Sequence, residues 1–175
     1  MIRPASAADH AQIVALYKQV AAIPDGLART PTEVTDEYVA GFMHKAAADG
    51  LELVYVDNGI IRAEIHCSRV GIASLAHLLT DLTIAVAPAC QGRGVGRRLF
   101  AALLAEVTDH MPAITRVELF ARESNGRARA LYASLGFVEE GRLRARVNNA
   151  RGEPETDTIM GWLRPPVSSI SHHQG

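Results

Sequence analysis

Val86-Ala87-Pro88-Ala89-Cys90-Gln91-Gly92-Arg93-Gly94-Val95-Gly96-Arg97-Arg98-Leu99 is the most telling stretch of the chain. It starts at the end of a β-branched run, Leu82-Thr83-Ile84-Ala85-Val86, that stops at Pro88. Three alternating glycines follow, Gly92, Gly94 and Gly96, and then an apolar pattern at helical spacing begins. A strand that ends in a glycine-rich turn and opens a helix forms an anion site. The glycines let the backbone approach closely, and the first N–H groups of the helix have no intrahelical partner. Arg93, Arg97 and Arg98 add fixed positive charge that can bond phosphate bidentately. The stretch therefore predicts a phosphate-bearing ligand.

The spacing narrows the choice of ligand. The dinucleotide fingerprint G-x-G-x-x-G is not met, because the glycines run G-x-G-x-G and the strand lies at mid-chain. A P-loop would need Gly-Lys-Ser/Thr where the chain has Gly96-Arg97-Arg98. The pattern Gln/Arg-x-x-Gly-x-Gly/Ala is met by Gln91-Gly92-Arg93-Gly94-Val95-Gly96. In this the chain resembles the pyrophosphate loop of the GCN5-related N-acetyltransferases, which bind acetyl-coenzyme A there. Some thirty residues on, Asn125-Gly126-Arg127-Ala128-Arg129-Ala130-Leu131-Tyr132-Ala133-Ser134-Leu135-Gly136-Phe137 resembles the family's second motif, Asn-x-x-Ala-x-x-Leu-Tyr-x-x-x-Gly-Phe. Order, separation and an intervening strand (Ala113 to Ala121) all fit. The resemblance covers roughly Leu51 to Leu163, and the first fifty residues match only in outline.

Length and composition agree with one enzyme domain, expected over residues 1–166 with a polar tail over 167–175. A chain of 175 residues buries about 70% of its unfolded surface, enough for a real core. Hydrophobic residues at 48% and charged residues at 21% are ordinary globular values. A net charge of −1 leaves no electrostatic footprint for nucleic acid or an anionic membrane, so neither is expected as a partner. The longest apolar stretches are strand-length and no signal-peptide pattern opens the chain. Two cysteines, Cys67 and Cys90, are too few for a disulfide framework and suit a reducing compartment. A soluble, cytoplasmic protein is expected.

Along the chain, Met1 to Arg3 reads as a short strand. Ser6 to Asp9 forms a variant capping box ahead of Ile13, Leu16, Tyr17 and Val20 at helical spacing. A second helix is expected to start after Thr30-Pro31, to carry Val34, Tyr38 and Phe42 on one face, and to end near Asp49-Gly50. Asp57-Asn58-Gly59 between Leu51–Val56 and Ile60–Cys67 signals a hairpin. Gly71 to Leu79 is ambiguous between a loop and a helical turn. Leu99, Phe100, Leu103, Leu104 and Val107 define a helix, Ile114 to Phe120 a strand, and Asn125 to Leu135 a helix. A strand broken at Gly141 spans Phe137 to Val147, and a last strand spans Thr158 to Leu163. The result is an α/β fold with a mixed, mostly antiparallel central sheet and helices on both faces, the fold the resemblance also implies.

Acyl transfer from a thioester needs a neutral amine, donors for the oxyanion, and a proton or hydrogen bond for the leaving thiolate. A lysine-like amine has a pKa near 10.4 and is nearly all protonated at neutral pH, so a base is required. The resemblance gives Tyr132 the leaving-group role; Asn125 lies seven residues earlier, two helical turns, and projects to the same side. A core aromatic on the Ala128-Leu131-Leu135 face is the alternative for Tyr132. For the base, Asp81 is favoured, at the place where related phosphinothricin-type acetyltransferases carry a glutamate; its shorter side chain suggests a bridging water. Glu64, Glu118 and water itself are the rivals. The resemblance also implies cofactor contacts at Ile84, Ala85 and Val86, whose strand backbone would pair with the pantetheine amides. Further contacts are implied at Gln91, Gly92, Arg93, Gly94, Val95, Gly96, Arg97, Arg98, Asn125 and Tyr132.

Other side chains carry weaker signals. His66 and His77 flank the ambiguous loop and are candidates for the acceptor pocket, although a lone histidine is more often a core or surface residue. Seven histidines show no zinc spacing, His172-His173 included, so no metal is expected. Cys90 has no histidine near it in sequence, which favours direct attack in a ternary complex over an acyl-enzyme. Arg142, Arg144 and Arg146 alternate along a strand, either as a basic face for an acidic acceptor or as a solvated one. The expected activity is transfer of the acetyl group of acetyl-CoA to a primary amine of a small molecule or amino acid. A protein or peptide N-acetyltransferase and a non-catalytic coenzyme A-binding regulator are the alternatives, and a homodimer is the expected assembly.

Overall fold

The computed structural model describes residues 1–166; the tail expected over 167–175 lies outside the described residues. Seven strands form one sheet in the order β1-β2-β3-β4-β5-β7-β6. They are β1 (Ile2–Pro4), β2 (Gly50–Asp57), β3 (Ile60–Ser68), β4 (Leu78–Val86), β5 (Arg116–Arg122), β6 (Val138–Asn148) and β7 (Pro154–Leu163). Only β4 and β5 run parallel; every other neighbouring pair is antiparallel. The helices are α1 (His10–Ala21), α2 (Asp36–Asp49), α3 (Val95–His110) and α4 (Gly126–Ser134). The mixed, mostly antiparallel sheet with helices on both faces is the fold class read from the sequence.

Strand alternation explains why two separate cores form. Leu53, Ala63, Ile65 and Cys67 pack with Leu99, Phe100 and Leu103 of α3. Val54, Ile61 and Ala85 pack with Ile13, Leu16 and Tyr17 of α1 and Val39 and Met43 of α2. Successive side chains point to opposite faces, so α1 and α2 cover one face and α3 the other. The Asp57-Asn58-Gly59 turn closes as expected, with Asn58 at φ 50° and Gly59 at φ 77°, the left-handed pair that a two-residue hairpin turn needs. No helix among the described residues is long and apolar enough to cross a membrane.

Three boundaries differ most from the sequence reading. The second helix starts at Asp36, and Pro31–Glu33 forms only a single 3-10 turn. Two capping signals stand in succession there. Glu33 folds back to accept from Thr30 N at 2.8 Å, and Thr35 Oγ1 then accepts from Tyr38 N at 3.1 Å and opens the longer helix. The central strand begins at Leu78, four residues earlier than its β-branched run, because Leu78 and Leu79 supply the parallel pairing with Arg116 and Val117. The last strand begins at Pro154, which pairs opposite Asn148 and prolongs the antiparallel ladder with β6.

Candidate active site

The parallel pair β4–β5 holds for two residues and then opens. Leu78 pairs with Arg116 and Leu79 with Val117, and no later residue of β4 pairs with β5. Asp81 sits at φ 54° in the left-handed region, so the strand kinks where its neighbours part. A cleft of about 860 Å³ fills the gap, walled by residues 82–84 on one side and 119–122 on the other. On its far edge β4 stays paired with β3, and Ala87 N donates to Arg62 O at 2.8 Å. Strand periodicity then turns the N–H and C=O groups of Ala85 toward β3 and those of Ile84 and Val86 toward the cleft. Gln91 Nε2 donates to Val86 O at 3.1 Å and ties the glycine turn to the strand end.

The glycine turn has the geometry its residues require. Gly92 (φ 74°) and Gly94 (φ 75°) adopt the left-handed conformation, and Gly94 is the N-cap of α3. Gly96 has ordinary helical backbone, and a Cβ there would lie 3.6 Å from Val86 Cγ2. The first helical bond to the cap runs from Arg98 N to Gly94 O, which leaves the N–H groups of Val95, Gly96 and Arg97 without intrahelical acceptors. The three arginines diverge. Arg93 stays exposed on the turn, Arg97 Nη2 donates to Ser134 Oγ at 2.7 Å, and Arg98 lies 5.1 Å over the Tyr55 ring. Arg127, absent from the sequence-based candidates, brings Nη2 within 3.3 Å of where a Cβ on Gly92 would stand. Its signal was its place in the first turn of the second motif's helix.

Asn125 and Tyr132 line the cleft together. Asn125 Oδ1 accepts from Ala128 N at 3.1 Å and caps α4. Tyr132 is 9% exposed and packs on Phe100 (ring centroids 5.2 Å apart) and Phe137 (6.2 Å). It is thus both a core aromatic and a cleft residue. Burial pushes its pKa up to about 12, so the phenol keeps its proton and acts as a donor.

The opposite end of the cleft lies between α2, β3 and the β4 kink, and it carries both charges. Asp81, 62% exposed at its side chain, is bound by Lys45 Nζ at 2.6 Å. Arg146 pairs with Asp157 and covers Phe120 at 4.2 Å, while Arg122 donates to Asn148 O at 2.8 Å. His66 also faces the cleft, stacked 4.0 Å from Phe42 with its ring plane only 8° off parallel. Behind it are Glu64, wholly buried, and Tyr17. Tyr17 Oη donates to Glu64 Oε2 at 2.5 Å, and His66 Nδ1 lies 3.0 Å from Glu64 Oε1. Glu52 comes from β2, directly across from His66. Burial, with the Glu64 charge adding to it, pushes Glu52 up to about 8, and the same two causes hold the Tyr17 phenol well above its ordinary value. Sequence reasoning missed Glu52; its one signal was a lone acid inside the run Leu51 to Val56.

Other candidates fall elsewhere. Glu118 is engaged by Arg116 (Nη2 to Oε2, 3.1 Å) and does not line the cleft. His77 is exposed and also lies outside it. Cys67 and Cys90 are free and buried, and burial pushes the Cys67 thiol up to about 12. Arg142, Arg144 and Arg146 do not share a strand face, because the ladder slips between Leu143 and Val147 where Ala145 adopts φ 53°.

This fold has counterparts in known proteins. A family model of the acetyltransferase (GNAT) domain matches residues 46–139, more than half of the chain. A GNAT-family acetyltransferase from Streptococcus pneumoniae superposes with a TM-score of 0.85 at 22% identity, over 94% of this chain and 99% of that one. The ribosomal-protein-S18-alanine N-acetyltransferase of Escherichia coli gives 0.77 at 24% identity, over 97% of each chain. A candidate acetyltransferase from Salmonella typhimurium, solved with its cofactor acetyl-CoA, gives 0.77 at 21% identity over 97% of this chain and 96% of that one. The chain belongs to the GNAT acetyltransferase family.

Proposed function

We propose that this protein transfers the acetyl group of acetyl-CoA to a primary amine of a small molecule or amino acid, by direct attack in a ternary complex. The observation that carries the reading is the opening of β4 from β5 beside the free N-terminus of α3. An amide-bearing arm fits the cleft-facing edge at Ile84 and Val86 as an added strand, with Val86 O also accepting from Gln91. The N–H groups of Val95, Gly96 and Arg97, with Arg93 and Arg127 nearby, suit the pyrophosphate. Arg97 and Arg98 are held by Ser134 and Tyr55, so they contribute through the field of the turn more than by direct bonds. Acetyl-CoA supplies the activated acyl carbon.

The cleft residues supply the rest. The Tyr132 hydroxyl donates to the departing sulfur, in keeping with its burial and its raised pKa. Among the groups lining the cleft that can take the amine's proton, Asp81 and His66 stand on the central strands β4 and β3. The cleft lining carries both signs of charge, Arg29, Lys45 and Arg122 with Asp25, Glu37 and Asp81. Such a lining suits a zwitterionic acceptor, with ammonium and carboxylate each meeting an opposite charge. A second copy packed on the open β6 edge, where Val138 is exposed, is the assembly we favour, in a cytoplasmic setting; sedimentation equilibrium at micromolar concentration decides it.

The functional test is a screen of amines, amino acids and short peptides with acetyl-CoA, following release of free thiol. Turnover fastest with a small amine or amino acid supports the proposal. Turnover restricted to peptides replaces it with a peptide N-acetyltransferase, and binding of acetyl-CoA without turnover points to a regulator.

A further inference from the structure

Resting on the acetyltransfer reading, we propose that His66, oriented by Glu64, is the catalytic base of this cleft and takes the acceptor's proton at Nε2. The hydrogen bonds fix which nitrogen is free. Tyr17 has one proton and donates it to Glu64 Oε2. The bond between Glu64 Oε1 and His66 Nδ1, 3.0 Å long, then needs its proton on Nδ1. Tyr17 Oη, 3.3 Å from the same Nδ1, can only accept from it. The neutral ring therefore presents a bare lone pair at Nε2, which has no protein partner among the described residues. Because the ring is 6% exposed and lines the cleft, that lone pair is available to an ammonium group or to one bridging water. Phe42 on the ring face and Glu64 at its edge hold the orientation.

Asp81 is differently engaged. Its carboxylate is bound by the Lys45 ammonium, and protonating it would discharge that pair. The Glu52–Glu64 pair has the opposite character. Glu52 holds a proton through the neutral range and has one oxygen, Oε1, buried without a partner among the described residues. One negative charge is thereby confined to Glu64, behind the imidazole, where it stabilises the imidazolium that forms. Tyr17 from α1, Tyr38 and Lys45 from α2, Glu52 from β2, Glu64 from β3 and Asp81 from β4 are the titratable groups around this ring. The protons balance. The acceptor ammonium gives one to His66 Nε2, which passes it to solvent before the next turnover. The free amine attacks the acetyl carbon, the C–N bond forms and the C–S bond breaks. The second proton on nitrogen passes to the departing sulfur, which the Tyr132 hydroxyl holds by a hydrogen bond, leaving an amide and a free thiol.

Single-turnover thiol release with acetyl-CoA and the fastest amine of the screen tests the assignment, with acetyl-CoA affinity measured in parallel by calorimetry. His66→Gln is expected to slow the step roughly a hundredfold at neutral pH, with the deficit shrinking as pH rises toward the amine's own pKa. Acetyl-CoA affinity should stay within twofold. Glu64 acts through His66, so Glu64→Gln should lower kcat and leave KM for acetyl-CoA unchanged; a merely structural glutamate would move only Tm. Nitrogen-15 spectroscopy of the histidines reads the tautomer in the unsubstituted protein, and a proton on His66 Nε2 with Nδ1 bare overturns the proposal. So does a wild-type rate in His66→Gln, or a larger loss in Asp81→Asn than in His66→Gln. No thiol release by wild type with any amine overturns the acetyltransfer reading itself, an outcome distinct from these.

Discussion

Replacing Glu52 by glutamine should make the protein more stable, and by an amount that depends on pH. The carboxyl is raised from the usual 4.5 to about 8 by burial first and the Glu64 charge second. The sign follows from proton binding. Below pH 4.5 folded and unfolded chains both carry the proton, and Glu52 contributes nothing. As pH rises from 4.5 to 8 the unfolded chain loses the proton while the folded one keeps it, so the wild type loses stability across that window. Above about 8 the loss is complete. At about 1.4 kcal/mol per pH unit the limit is close to 5 kcal/mol, and partial solvent access with proton sharing reduces it to about 2 kcal/mol. A glutamine carries no charge and can still donate to Glu64. Urea denaturation at pH 5, 6.5 and 8, followed by fluorescence of the single, buried Trp162, measures the difference. The variant should match wild type at pH 5 and exceed it by about 2 kcal/mol at pH 8. Parallel stability curves would refute the buried, protonated Glu52.

Two further outcomes are expected. Asp9 accepts from Arg3 Nη1 (2.7 Å), Arg3 Nη2 (2.8 Å) and Ser6 N (2.8 Å), and its carboxyl is lowered to about 2 chiefly by Arg3. Asp9→Asn should therefore cost about 1–2 kcal/mol at neutral pH, with the gap to wild type closing between pH 4 and 2, as urea midpoints would reveal. Tyr132→Phe should slow single-turnover acetyl transfer about tenfold or more without relief at high pH, because it removes a donor to sulfur and not a base. A deficit that vanished at high pH would assign Tyr132 to the amine side.

What the sequence disclosed was local. The hairpin turn, the glycine turn and the α3 stripe each depend on neighbouring residues, and each formed where its pattern stood. The length of β4 was hidden because Leu78 and Leu79 are recruited by Arg116 and Val117, almost forty residues away. The divergence of Arg97 and Arg98 follows from helix geometry. Adjacent residues point about 100° apart, so one reaches α4 and the other β2. Glu64, His66 and Tyr17 were each visible as single residues, but their union was not. Glu64 and His66 stand two apart on β3, but Tyr17 joins them only because α1 lies across that face, and Glu52 is brought opposite His66 only by the β2–β3 register.

In the proposed function, the α3 N-terminus and the open edge of β4 form the acetyl-CoA site. Calorimetric titration of acetyl-CoA into wild type and Gly94→Asp tests it most directly. Gly94 adopts φ 75° with open space where a Cβ would project, so the substitution sets a carboxylate at the mouth of the turn without a clash in the core. A negative charge there opposes a pyrophosphate, and the left-handed backbone resists any side chain. Saturable, stoichiometric binding to wild type and none to the folded variant is the expected result. Equal affinity in both would contradict it.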